Sequence, residues 1–408
     1  VYKRQKSHPQ LRFVADLLSI RPVLETGSHV KFQVNKDALS EAVSFVSRLL
    51  PQRAPMLILT GILIEADANA LRLSVFDYEV SAQVEIVAKV ETSGRVLVSG
   101  RLLNEIASKL PNAPVEVTLE ASKVEVRCGA AKFNLSTMPI ETYPPLPEMP
   151  AAAGTVSGED FQHAVSQVLP AVSKEDVTPQ LNGVLVEAGE KALTLLATDR
   201  YRVAMRDVSW KPNASAIGTT SLVPSRILSE VAKNFSQQGE IQIGIGSGDK
   251  EIIGFSANNR SVTCNLLKGT FPPVKSLFPE TVEDFAIVNT QELVNSAKRV
   301  GLVLERESPI KFDFKEGSVT LDASGNETAQ ATEEVDVELT GKDIVVSLKP
   351  QFLIEGLSGV HSEFVKLAFT PSNDPNKPGP VLISSHGSKE KTDSDSFRYL
   401  LQPNLLNR

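Results

Sequence analysis

Apolar and polar residues alternate along residues 181–206 in a way that predicts two adjacent antiparallel strands. The stretch LNGVLVE is followed by a Gly-Glu turn and by ALTLLAT, after which the polar Asp199 ends the second strand. Residues 60–83 have the same order of apolar, turn and acidic positions. Because self-similarity at a fixed period indicates repeated domains, this match predicts the architecture of the chain. Six identities align the two stretches at a constant offset of 122: Gly61/Gly183, Leu63/Leu185, Glu65/Glu187, Leu71/Leu193, Leu73/Leu195 and Asp77/Asp199.

Each repeat also contains two windows in which apolar residues recur at helical spacing. Asn35 precedes the first window at the position of an N-cap residue. The inward-facing residues predicted for the first repeat are Leu39, Ala42, Val43, Val46 and Leu49 or Leu50 in its first window, and Leu102, Leu103, Ile106 and Leu110 in its second. The six windows are 36–49, 101–110, 159–172, 225–235, 291–304 and 349–358.

Proline-rich linkers near residues 143–154 and 271–279 separate the repeats. Every repeat reads as strand, helix and β-meander, twice over. This order predicts an α+β fold of three repeated domains, each with two helices on one side and antiparallel sheets on the other. Strand edges at the ends of each sheet favour pairing with the next domain in a closed assembly. The predicted boundaries are an N-terminal extension at 1–29 and domains at 30–150, 151–280 and 281–408.

The composition is that of an ordinary globular protein, with 41% hydrophobic and 22% charged residues. No apolar run reaches the length of a membrane span. Two cysteines, Cys128 and Cys264, do not make a disulfide framework, so we expect buried thiols and a cytoplasmic location. Five scattered histidines lack metal-ligand spacing, and we expect neither a metal nor a cofactor.

A net charge of −7 argues against a protein that coats itself with nucleic acid, unless its basic residues are gathered on one surface. The six helical windows contain nine Lys/Arg and eight Asp/Glu, whereas the whole chain has 42 and 49. The helices are therefore near neutral, and the rest of the chain carries the negative excess.

No P-loop, GxGxxG, GxSxG or HExxH motif is present. The repeated carboxylates Asp77 and Asp199 are compatible with catalysis, but an aspartate that binds turn amides at a strand end explains the repetition better. Arg200 and Arg202 flank Tyr201, and the plainest interpretation of this segment is a solvated strand face.

Several motifs, taken in order, resemble one family. They are FDYE at 76–79, KFNLSTMPIETYPPLP at 132–147, ATDRYR at 197–202, GTFPPVKSLFP at 269–279 and YLLQP at 399–403. Together with the threefold period, they resemble the bacterial DNA polymerase III beta subunit, the sliding clamp, and in particular its actinobacterial members. The resemblance covers about residues 30–406.

The resemblance implies a ring-shaped, head-to-tail homodimer that encircles duplex DNA without sequence preference and has no catalytic role of its own. It implies that the replicative polymerase, the clamp loader and repair proteins bind through short linear peptides. The implied peptide pocket comprises Leu181, Thr198, Arg202, Val203, Pro279, Leu400 and Gln402. The dimer contact pairs Phe133 and Leu135 with Leu302 and Val303. The DNA-facing residues are Arg53 and Arg101, matched to family positions, and Lys109 and Lys233, taken from the later turns of the inner helices.

Gln402 departs from the resemblance, because the family usually has Met at this position. This departure and the altered C-terminal tail, Asn404-Leu405-Leu406-Asn407-Arg408, prompt a second hypothesis, a diverged clamp paralogue with altered peptide binding. A third hypothesis, from another class, is a hydrolase or transferase that uses Asp77 and Asp199; the sequence offers no nucleophile–base pair for it.

Overall fold

The computed structural model of the protein describes residues 29–405, except 52, 176, 247–250, 306–307, 326–328, 373–377 and 388–395. The predicted N-terminal extension at 1–29 therefore lies outside the described residues apart from its last position. By internal contacts the chain separates into two compact units. The first runs to Ser47 and continues through Ala54–Ser74 and Glu85–Tyr143, and the second comprises Arg48–Arg53, Val75–Val84 and the chain from Pro144 onward.

The first repeat has the predicted order of strands and helices, and its two helices pack against each other. Its elements are β1 (His29–Val34), α1 (Lys36–Ser47), β2 (Gly61–Asp67), β3 (Ala70–Phe76), β4 (Val80–Thr92), β5 (Gly94–Ser99), α2 (Gly100–Ala107), β6 (Val115–Glu120), β7 (Lys123–Cys128) and β8 (Ala131–Ser136).

The second repeat runs through the same order, and its two helices also pack together. Its elements are β9 (Ala152–Ser157), α3 (Gly158–Val168), β10 (Gly183–Ala188), β11 (Ala192–Thr198), β12 (Arg202–Pro212), β13 (Thr220–Pro224), α4 (Ser225–Phe235), β14 (Glu240–Ile245), β15 (Ile252–Ala257) and β16 (Arg260–Asn265).

The third repeat keeps this order despite its more diverged sequence. Its elements are β17 (Phe285–Asn289), α5 (Thr290–Val300), β18 (Ile310–Lys315), β19 (Gly317–Gly325), β20 (Ala329–Thr340), β21 (Ile344–Leu348), α6 (Pro350–Ser358), β22 (Phe364–Phe369), β23 (Val381–His386) and β24 (Arg398–Leu401).

The strand pairing repeats with the sequence, and each pairing given below is antiparallel. The opening strand of each repeat lies between two later strands: β1 between β4 and β6, β9 between β12 and β14, and β17 between β20 and β22. The second strand does the same, with β2 between β3 and β5, β10 between β11 and β13, and β18 between β19 and β21. The predicted α+β fold of three repeated domains is confirmed, while the boundaries at 150 and 280 stay predictions.

A polar side chain caps the first helix of every repeat. Asn35 accepts hydrogen bonds from the backbone N–H groups of Asp37 and Ala38, at 2.9 and 3.1 Å, which confirms the predicted cap. Ser157 accepts one from Asp160, and Asn289 accepts one from Glu292 at 3.0 Å. Each cap satisfies N–H groups that the first helical turn leaves without partners.

The inward faces follow the predicted periodicity with one exception. The residues predicted for α1 are buried, as are Leu103, Ile106 and Leu110 in and after α2. Leu102 was wrongly predicted to face inward, since 43% of it is exposed. It directly precedes Leu103, and a turn of 100° per residue leaves only one of two adjacent leucines at the centre of the buried stripe.

Both cysteines are buried, as expected. Burial raises the pKa of Cys264 to about 12, so this thiol is inert at neutral pH. No helix in the described ranges is long and apolar enough to cross a membrane.

Candidate functional site

The ATDRYR segment is a tight turn organised by its aspartate. Asp199 accepts hydrogen bonds through Oδ1 from the backbone N–H groups of Tyr201 and Arg202, at 3.0 and 3.1 Å. Arg200 has a positive φ of 81°, and the Thr198 hydroxyl donates to the carbonyl of Arg202 at 2.7 Å. The turn interpretation of this aspartate is confirmed, and the turn determines where β12 begins.

The third repeat pairs with the strand that starts at this turn. β24 runs antiparallel to β12, with Arg202 opposite Leu401 and Val203 opposite Leu400. The backbone N–H of Gln402 continues the pairing by donating to the carbonyl of Tyr201 at 2.9 Å. The second and third repeats therefore share one sheet at this point, and both belong to the second compact unit.

An apolar cluster lies where the two repeats and the second linker meet. Val203 contributes from β12 and Leu400 from β24, and two linker residues complete the wall beside them. Phe271, Leu185 and Leu382 are partly buried against it. The buried members are Leu196, Val203, Met205, Val274, Phe278 and Leu400.

Arg202 is the buried charge of this site, with only 4% of the residue exposed. Its Nε donates to Asp199 Oδ2 at 2.9 Å, and its Nη1 donates to the Tyr399 hydroxyl at 3.0 Å. Nη1 also pairs with Glu355, and the guanidinium carbon lies 4.2 Å from the centre of the Phe352 ring. Cation–π contact and paired carboxylates are the arrangement a buried guanidinium needs.

The environment keeps Arg202 charged. Burial by itself would lower the pKa of this arginine, but Tyr399, Glu355 and Asp199 outweigh burial and the pKa is raised. Burial raises the pKa of Tyr399, against the opposing effect of Arg202, so the phenol stays neutral and free to donate a hydrogen bond. That hydroxyl donates to the carbonyl of Phe352 at 2.9 Å.

The solvated-face interpretation is right for one of the two arginines and wrong for the other. Arg200 is exposed and pairs with Glu175 at 2.8 Å. Arg202 faces inward, because the left-handed conformation of Arg200 reverses the chain and the strand alternation restarts at 202.

The structure brings together most of the residues predicted for the pocket. Thr198, Arg202, Val203 and Leu400 are all buried around the turn and the β12–β24 pairing. Pro279 is half-buried and directly follows Phe278, whereas Gln402 is exposed and its amide donates to the carbonyl of Pro378 at 3.1 Å. Leu181 is buried in a separate 3₁₀ turn, where its backbone bonds to Ser173 and Thr178 rather than to residues of the cluster.

Sequence reasoning missed several residues of this site, among them Val274, Phe278, Glu355 and Tyr399. Val274 and Phe278 could have been found from the sequence. Apolar side chains in a proline-rich linker indicate that the linker packs against another apolar surface. Glu355 and Tyr399 had no such signal, since each contacts Arg202 across more than 150 positions of the chain.

The residues predicted to face DNA are exposed in the unit to which each belongs. Arg101 and Lys109 lie on and after α2 in the first unit, and Arg101 pairs with Glu105 one helical turn later at 3.0 Å. Arg53 and Lys233 belong to the second unit, and both are exposed.

The residues predicted for the dimer contact differ in exposure. Phe133 and Leu135 lie on β8, which pairs with β7 and has no second strand partner in the described part of the chain. Leu135 is buried and Phe133 half-buried. Leu302 is 83% exposed and Val303 half-buried, in the turn that follows α5.

Among the described residues, no group of three or more His, Cys, Asp or Glu side chains is arranged to hold a metal ion. Three α+β domains in one chain, with sheets that join edge to edge and an apolar cluster at one junction, define a clamp-type binding protein.

Comparison with known proteins identifies the family within this class. The N-terminal, central and C-terminal domain profiles of the DNA polymerase III beta subunit match residues 30–147, 155–273 and 275–390. The chain therefore belongs to the DNA polymerase III beta subunit family.

Relatives from two actinobacteria are similar over most of the chain. The beta sliding clamp of Streptomyces coelicolor is 41% identical over 376 residues, which cover 92% of this chain and 99% of that one. The beta sliding clamp of Micrococcus luteus is 46% identical over 310 residues, which cover 76% of this chain and 100% of that one. The crystal structure of the sliding clamp from Bacillus subtilis superposes with a TM-score of 0.84 at 25% identity, covering 93% of this chain and 100% of that one.

Proposed function

We propose that this protein is a DNA sliding clamp, a processivity factor that encircles duplex DNA and tethers the replicative polymerase and repair proteins to it. The observation that carries the proposal is the ordered match of all three domain profiles along one chain, whose repeats also share their strand pairing. In this role the protein has no catalytic residue of its own, and its location is the cytoplasm.

The physical mechanism is topological. A closed ring on duplex DNA leaves only by opening or by sliding off an end, so tight contacts with the bases are unnecessary. Phosphate contacts from exposed Arg53, Arg101, Lys109 and Lys233 do not depend on sequence, and a few of them permit sliding. Near-neutral helices suit this task better than strongly basic ones, which would slow movement along the DNA.

Ring closure requires two copies, and we infer that β8 of one copy meets the turn after α5 of the other. Within the described ranges the second edge of β8 has no strand partner, so its backbone can accept another strand. Leu302, exposed over 83% of its surface, supplies an apolar side chain that a single copy leaves in water. Leu135 is already buried, so Phe133 and the strand backbone would make most of the contact from the β8 side.

The cluster around Val203, Leu400 and Phe278 is the proposed site for the linear peptides of partner proteins. Apolar walls with a few polar groups at the rim bind a leucine or an aromatic anchor of such a peptide. The exposed amide of Gln402 makes one rim more polar than the methionine usual in the family, which supports altered peptide preference as a second candidate property.

Retention on DNA tests the topological mechanism. The protein is loaded onto nicked circular plasmid by a clamp loader with ATP, and the complex is isolated by gel filtration. We expect the protein to stay on the circle, to leave after the plasmid is linearised, and to stay on linear DNA whose two ends carry bulky blocks. Equal loss from circular, linear and end-blocked DNA would replace the ring with ordinary electrostatic binding.

A further inference from the structure

Glu355 holds the buried arginine of the second repeat from a helix of the third. Its carboxylate pairs with Nη1 of Arg202, while its Oε1 accepts a hydrogen bond from Gln351 at 3.2 Å. The Glu355 side chain is 29% exposed and that of Arg202 only 3%. The glutamate is thus the solvent-side partner of a charge that has almost no access to water.

The rest of α6 is built around the same contact. Phe352 lies one turn before Glu355 and supplies the ring beneath the guanidinium. A Cβ at Gly356 would lie 2.6 Å from the Tyr399 ring, so the glycine permits the helix to approach β24 closely. The Tyr399 hydroxyl then bridges Arg202 and the carbonyl of Phe352. Arg202 is therefore the point at which α6, β24 and β12 are held together.

The apolar cluster depends on this arrangement for its shape. Val203 and Leu400 face each other across the β12–β24 pairing, one residue away from Arg202 and Tyr399 respectively. Arg202 itself is too deeply buried to meet a ligand at the surface. Its effect on a bound peptide must therefore pass through the position of these two apolar residues.

We propose that Glu355 is a positioning residue of the peptide site: by pairing with Arg202 it holds the two strands whose Val203 and Leu400 form the apolar wall. The inference rests on the proposed function, since it takes this cluster to be the peptide site. It assigns Glu355 no contact with the peptide. Peptide affinity accordingly depends on how firmly the third repeat is docked on the second.

A double-mutant cycle tests whether Glu355 affects peptide affinity through Arg202. The probe is a fluorescein-labelled octapeptide with a Leu-Phe pair, measured by fluorescence anisotropy well below the melting temperature. Glu355→Gln keeps the shape and removes the charge, and we expect about tenfold weaker binding through faster dissociation. Arg202→Gln should weaken binding at least as much, and the double variant should be no weaker than Arg202→Gln alone. The matched control is Glu240→Gln, which removes an exposed glutamate paired with Lys211 and should leave binding unchanged.

Hydrogen exchange gives a readout that does not depend on the peptide. In Glu355→Gln, amides of β12 and β24 should exchange faster, while those of β1 and β6 stay unchanged. Wild-type affinity in Glu355→Gln, or additive losses in the double variant, would overturn the positioning role. If the wild-type protein fails to bind the peptide while exchange still responds to Glu355→Gln, the proposed peptide site is wrong and the coupling between the repeats remains.

Discussion

Asp77 and Asp199, 122 positions apart, make the same turn in two repeats. Each accepts hydrogen bonds through Oδ1 from the backbone N–H groups two and three residues later, at 3.0 and 2.8 Å for Asp77 and at 3.0 and 3.1 Å for Asp199. The residue after each has a positive φ, 74° at Tyr78 and 81° at Arg200. Only Asp199 has a further task, because its second oxygen pairs with the buried Arg202.

Because of this difference, we expect replacement by alanine to lower the free energy of unfolding by different amounts at the two positions. Asp77→Ala removes two turn hydrogen bonds and should destabilise the protein by about 1 kcal/mol. Asp199→Ala also deprives a buried guanidinium of a carboxylate and should cost about 3 kcal/mol. Differential scanning calorimetry should therefore show a melting temperature several degrees lower for Asp199→Ala than for Asp77→Ala. Equal melting temperatures would mean that the ion pair with Arg202 adds nothing to the turn.

A pair of histidines predicts acid sensitivity at the junction of the second and third repeats. His163 on α3 and His361 after α6 meet through Nε2 and Nδ1, with ring planes 11° apart. Burial lowers the pKa of His163, with a contribution from Arg206 opposed by Asp160 and Glu159. Burial also lowers the pKa of His361, with contributions from His163 and Arg206.

The lowered pKa values of the two histidines predict that the folded protein loses stability as the pH falls. Both folded-state pKa values lie below the ordinary 6.5, so the unfolded chain takes up protons first as the pH falls. The stabilising contribution of the pair is therefore complete above about pH 6.5 and is lost progressively below it. Melting temperatures between pH 7.5 and 5.5 should fall less in His163→Gln than in the wild type. His29→Gln, at the exposed start of β1, is the control and should keep the wild-type slope.

Leu302→Asp should convert the proposed dimer into monomers, because a carboxylate would replace the exposed apolar side chain that the proposed contact buries. Light scattering after gel filtration measures the mass directly. Val177→Asp provides the comparison, since Val177 is also a largely exposed aliphatic residue, at 88%, and should leave the dimer intact. A dimer that survives Leu302→Asp would exclude this turn from the interface.

Gln402→Met should tighten peptide binding by roughly three- to tenfold, because it replaces an exposed amide at the rim of the proposed peptide site with apolar surface that a peptide can cover. Anisotropy titration with the same octapeptide is the measurement. Gln237→Met changes an exposed glutamine after α4 and should have no effect. Unchanged affinity in Gln402→Met would place the side chain outside the peptide site.

Local structure was predictable from local sequence. The two helices of each repeat, the cap at Asn35 and the turn at Asp199 follow from spacing within short windows, because backbone hydrogen bonding and one-sided burial act over a few residues. The repeat itself is visible as identical residues at a constant offset of 122. The prediction that Leu102 faces inward was wrong. Leu102 and Leu103 are adjacent, only one of them can lie at the centre of the buried face of the helix, and helical spacing alone does not distinguish between them.

The distant partners of Arg202 and His163 were decided only by the tertiary structure. Arg202 meets Glu355 across 153 positions, and His163 meets His361 across 198. Sequence periodicity records which side of an element is buried, but it does not record which element covers it. In this protein, β12 pairs edge to edge with β24. This pairing places α6 of the third repeat over Arg202 of the second. Because a buried guanidinium needs a carboxylate wherever the docking brings one, an arginine that looked solvated in the sequence became the centre of the junction.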